Sequence, residues 1–80
     1  MNRVEFLKKV IERGLGIYGT DIIGKMLEES GINMDIEGNI KFKKSEDAAI
    51  KTFFDKYSSL TPVAKMNLQM LAKRYKFLLE

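Results

Sequence analysis

The chain contains no cysteine, no histidine and no tryptophan. Without cysteine there is no disulfide framework, no thiolate nucleophile and no zinc–thiolate cluster. Without histidine, the side chain that titrates near neutral pH is missing, so catalysis would fall to carboxylates, Lys, Tyr, Ser or Thr. No apolar run approaches the roughly 18 residues of a membrane span. Residues 1–5 carry no secretory signature, and the apolar residues after them are broken by Lys8, Lys9, Glu12 and Arg13. A cytoplasmic location without membrane association is therefore expected.

What is present suits one small domain, residues 1–80. Hydrophobic residues make up 45 % of the chain, too many for a disordered tail. A chain of this length buries only about 60–65 % of the surface its unfolded form exposes. Its stability is accordingly modest, roughly 4–12 kcal/mol.

Asn2 and Glu5 form a capping box ahead of an amphipathic helix over residues 3–18. Gly19 then breaks the chain, and Thr20 caps a second helix that ends at Ser30 and Gly31. The period changes next: Ile32, Met34 and Ile36, then Ile40 and Phe42, alternate with polar residues, as in a hairpin. A three-residue loop over 37–39, with Asn39 in the left-handed position, sets Ile36 against Ile40 and Met34 against Phe42. Ser45 before Glu46 and Asp47 starts a third helix, and Thr61 before Pro62 starts a fourth over 62–79.

The expected fold class is α+β, mostly α: four helices in a small bundle with one short β-hairpin between helices two and three. The expected core is Phe6, Leu7, Val10, Ile11, Leu15, Ile22, Ile23, Met26, Leu27, Ile36, Ile40, Phe42, Ile50, Phe53, Phe54, Tyr57, Leu60, Leu68, Leu71, Tyr75 and Leu78.

The last helix has two apolar sectors at 100° per residue. Ala64, Leu68, Leu71, Ala72, Tyr75, Leu78 and Leu79 form a broad one; Val63, Met66, Met70 and Phe77 form a second. An ordinary surface helix needs one stripe. Either both are internal, with the helix placed centrally, or Val63, Met66, Met70 and Phe77 form a patch for a second copy or another protein.

Motifs for chemistry are weak. Residues 14–19 match G-x-G-x-x-G, but a charged helical segment precedes them and the glycines close a helix rather than open one. Asp35, Glu37 and Asn39 alternate around Gly38, but a calcium-loop frame would run on into Lys41, Lys43 and Lys44, which favours a turn. Glu28 and Glu29 point about 100° apart, and Ser58 and Ser59 have no visible base. No catalytic residue, cofactor site, metal site or small-molecule substrate is implied, and no enzyme is expected.

Charge is uneven. Residues 1–40 carry a net −2 and residues 41–80 a net +5. Lys41, Lys43, Lys44, Lys65, Gln69, Lys73, Arg74 and Lys76 are the candidate contacts to nucleic acid. Residues 20–30 are not a reading helix, because Asp21, Glu28 and Glu29 would face phosphate with only Lys25 against them. The expected function is a non-enzymatic protein-interaction or self-associating module. A small basic nucleic-acid-binding protein is the alternative.

Overall fold

The computed structural model describes residues 2–79; Met1 and Glu80 lie outside the described residues. Three helices and a two-stranded antiparallel hairpin occur in the order α1 (Arg3–Ser30), β1 (Ile32–Met34), β2 (Ile40–Phe42), α2 (Glu46–Leu60) and α3 (Pro62–Arg74). The expectation of four helices is thus corrected. The hairpin lies between helices one and two, because the first two expected helices are one bent element.

The bend comes from a single residue. Gly19 has φ 86 and ψ 172 inside an otherwise helical run. Without a Cβ, glycine enters this region at no steric cost. One residue therefore turns the axis, and among the described residues no side-chain hydrogen bond from Thr20 caps a new start. The depth of the bend shows at Gly14. A Cβ built there would lie 2.8 Å from Ile23 Cδ1 and 3.0 Å from Tyr57 Cε1. In a straight helix the Cα atoms of residues 14 and 23 would stand about 13.5 Å apart. The second half of α1 folds back onto the first, with Ile23 packed against Gly14.

The ends of α1 follow the expected chemistry. Glu5 N donates to Asn2 Oδ1 at 2.8 Å, and Asn2 N donates to Glu5 Oε1 at 3.4 Å. At the other end Gly31, with φ 75, donates its N–H to the carbonyls of Glu28 and Leu27. Lys44 lies along this turn: its Cγ and Cε are each 3.2 Å from where a Gly31 Cβ would be. Its aliphatic stem covers the C-terminal end of α1.

The hairpin pairs Ile32 with Phe42, Asn33 with Lys41 and Met34 with Ile40. The expected register is off by two residues because the loop is 36–38 rather than 37–39. Gly38, with φ 88, takes the left-handed position assigned to Asn39. Gly38 N donates to Asp35 O at 3.0 Å and Asp35 N to Asn39 O at 3.1 Å, closing a three-residue loop. A shift of two preserves which face each residue occupies. It moves Ile36 out of the core to the loop tip, fully exposed, and puts Ile32 into the core instead.

Ser45 Oγ accepts from Ala48 N at 3.2 Å and Thr61 Oγ1 from Ala64 N at 2.9 Å, so α2 and α3 start where expected. Arg3 forms ion pairs with Glu46 and Asp47 in the first turn of α2. Phe6, Phe53 and Tyr57 are the largest side chains of the common core, joined by Leu7, Val10, Ile11 and Ile23. Ala49, Ala64 and Ala72 are buried where helices meet. Of the expected core, Ile22, Ile36 and Leu78 are exposed.

The last helix stops at Arg74, five residues before the expected end. Lys76 adopts φ 54, Lys76 N donates to Lys73 O at 3.2 Å, and Phe77 N donates to Ala72 O at 2.7 Å. This paired closure satisfies the free carbonyls at the helix end. It turns the chain so that Phe77 stacks on Phe6, with ring centroids 4.3 Å apart and planes 8° from parallel. Phe54 meets Phe6 edge-on at 5.6 Å. The aromatic cluster outweighs one further helical turn, and a non-glycine residue accepts a left-handed backbone to make it.

Candidate interaction surface

Helix α3 presents two faces. Ala64, Leu68, Leu71 and Ala72 point inward and are buried. Val63, Met66 and Met70 point outward and are 59 %, 59 % and 65 % exposed. Their spacing of three and four residues aligns them as a ridge along about 10 Å of helix. Central placement with both stripes internal does not describe α3. Phe77, the fourth expected member of the ridge, has left it for the stack on Phe6.

Position on the fold explains why the ridge is uncovered. Helix α3 packs its inner face on α2 and α1, while the hairpin packs on α1 through β1. Both neighbours of α3 therefore lie on one side of it. Thr61 anchors its start, because the Thr61 hydroxyl also meets the Tyr18 hydroxyl at 2.8 Å, next to the Gly19 bend.

The ridge is framed by cations. Lys65, Lys73, Arg74, Lys76 and the amide of Gln69 are all exposed. Residues 62–79 contain four basic side chains and no carboxylate. None of the four forms an ion pair with another described residue. Lys41, Lys43 and Lys44 are also exposed, but they belong to β2 and the residues after it. The candidate cations therefore fall into two groups on separate elements.

A groove of about 560 Å³ runs along one flank of α3. Ile50, Phe54, Leu68, Phe77 and Leu79 line it, with Leu78 at its edge and Arg3, Asp47, Lys51, Asp55 and Lys65 around the rim. A shallower depression of about 460 Å³ lies between α1 and α3, against Lys9, Glu12, Arg13, Ile17, Leu71 and Tyr75.

Elsewhere the expected chemistry resolves into structure. Gly14, Gly16 and Gly19 all lie within α1, so no strand leads into the glycine string. The Asp35 carboxylate accepts from Asn39 N at 2.9 Å and from Asn39 Nδ2 at 3.2 Å. The backbone bond from Asn39 is the main reason its carboxyl titrates below the ordinary 3.8. The turn reading of residues 35–39 accounts for both oxygens. Among the described residues, no group of three Asp or Glu side chains is placed to hold a metal ion. Burial, then the neighbouring Tyr18, pushes the Tyr57 hydroxyl above its ordinary 10.0. That hydroxyl and Ser30 Oγ are both buried without a hydrogen-bond partner among the described residues. Among the described residues, no helix is long and apolar enough to cross a membrane.

Comparison with protein-family models, with characterised proteins and with solved structures found no match to the chain.

Proposed function

We propose that the chain is a non-enzymatic protein-interaction module that docks through the outward ridge of α3. The carrying observation is the alignment of Val63, Met66 and Met70, each more than half exposed, on a helix whose other face is fully packed. Large apolar side chains lined up on one exposed face favour a partner over water. Methionine suits such a face because its flexible, polarisable thioether adapts to the surface it meets.

A nucleic-acid surface, the second reading, draws on the same unpaired cations. It is less well supported, because three apolar side chains stand at the centre of the cationic face, where phosphate contacts would form.

Site-specific crosslinking tests the reading. A photoreactive residue replaces Met66 in the cells that make the protein, and a second variant carries it at Lys25, exposed on α1. Discrete protein adducts are expected from position 66 and none from position 25. No adducts from position 66, or adducts that a nuclease digests, would refute the docking face.

A further inference from the structure

Resting on the docking face just described, we propose that the partner surface is an acidic amphipathic helix. Its apolar side chains meet Val63, Met66 and Met70, and its carboxylates meet the lysine and arginine side chains beside them. The size of the ridge is the first argument. Three side chains along about 10 Å cannot supply the roughly 800 Å² per partner of a stable interface. The footprint must extend to the residues on either side.

Along the helix itself those neighbours have one sign, whereas Asp47, paired with Arg3, and Asp55 border the groove from α2. At 100° per residue, Lys73 falls about 20° outside Met66, and Arg74 about 20° outside Val63 on the other edge. Lys65 lies further round the flank and borders the groove. All three are exposed, and none is paired with another described residue. With no carboxylate in residues 62–79, nothing on the helix offsets them.

A second copy fits this face poorly. A two-fold axis through the ridge brings each patch against its own image, cations against cations. A phosphate backbone answers the charge but leaves the methionines and valine without an apolar counterpart. A helix bearing apolar residues at the same three- and four-residue spacing, with Asp or Glu beside them, answers both.

The probe is the protein itself with its frame inverted: Lys65→Glu, Lys73→Glu and Arg74→Glu together. This variant displays the same ridge between carboxylates on a helix that is already folded. The substitutions are on exposed positions, and far-UV circular dichroism confirms that the fold is kept. Sedimentation velocity at about 50 mM salt is expected to show the wild type alone and the variant alone as monomers. Their equimolar mixture is expected to form a one-to-one complex. That complex should weaken by roughly tenfold or more at about 500 mM salt and disappear when the wild-type partner carries Met66→Asp. No complex in the mixture would overturn the acidic-partner proposal. A wild-type dimer abolished by Met66→Asp would overturn it too, in favour of a second copy. Tighter wild-type binding to a random DNA duplex or to phosphatidylglycerol vesicles would overturn it in favour of a phosphate surface. The crosslinking at position 66 changes none of the charged residues. Adducts there without a complex in the mixture mean the docking face stands and only the partner's chemistry is wrong.

Discussion

Replacing Gly14 by alanine probes the bend at Gly19 through its energetic consequence. In a straight, exposed helix this change stabilises by about 0.8–1 kcal/mol through helix propensity alone. At Gly14 the new Cβ would sit 2.8 Å from Ile23 Cδ1 and 3.0 Å from Tyr57 Cε1. Ile23 and Tyr57 are both fully buried, so neither has open space to retreat into. Overpacking of this kind costs about 1–3 kcal/mol. Gly16 is the internal control: it lies on the same helix, two residues on, with nothing within 4 Å of a built Cβ. Helix propensity cancels between the two variants, so their difference isolates the packing cost. Urea denaturation followed by circular dichroism should place Gly16→Ala above the wild type and Gly14→Ala below Gly16→Ala by about 1–3 kcal/mol. Equal stability of the two variants to within about 0.5 kcal/mol would refute the close approach of Ile23 to Gly14, and with it the sharp bend.

Phe77→Ala removes the ring stacked on Phe6 and should cost about 1.5–3 kcal/mol, below the usual cost for a fully buried Phe because Phe77 is only half-buried. Leu78→Ala, at an exposed neighbour, should change the melting temperature little. Asp35 ionises more readily in the fold than in the unfolded chain, so its contribution is present above pH 3.8 and lost as pH falls through the lowered value. A denaturation series in acid should therefore show a steeper loss for the wild type than for Asp35→Ala. Tyr57 has the opposite sign: its raised value means stability falls as pH rises above 10.0, and Tyr57→Phe should flatten that alkaline limb. The same variant removes a buried hydroxyl that has no hydrogen-bond partner among the described residues, so at neutral pH it should be neutral or stabilising.

Helix starts were the most legible feature of this chain because their chemistry is local. Asn2 with Glu5, Ser45 with Ala48, and Thr61 with Ala64 each act across three residues, and all three form as the sequence implies. The break at Gly19 was legible too, but not its form: one residue redirects the backbone, so no loop separates two helices. The hairpin register failed for a physical reason. The observed loop, 36–38, lies one residue before the expected one, 37–39, and the two pairings put the same side chains on the same face. Alternation alone therefore does not separate them. The left-handed preference of Gly38 over the adjacent Asn39 decides it.

The end of α3 was not legible. Lys76 carries no signal for a left-handed backbone, and the turn answers to Phe6, far away in sequence. That turn also shapes the candidate site. The three-and-four spacing of Val63, Met66 and Met70 is plain in the sequence, whereas the departure of Phe77 from their line depends on tertiary packing. Exposure of the ridge likewise depends on α1 and α2 both packing on the inner face of α3.

The ridge on α3 stands open in the folded chain. Methionine methyl NMR signals in the presence of a soluble paramagnetic probe test it most directly, because the chain supplies its own reference: Met26 is 7 % exposed, while Met66 and Met70 are 59 % and 65 % exposed. Strong relaxation of the Met66 and Met70 methyls, with Met26 protected, is the predicted result. Protection of Met66 and Met70 to the level of Met26 in the monomeric protein would contradict the account.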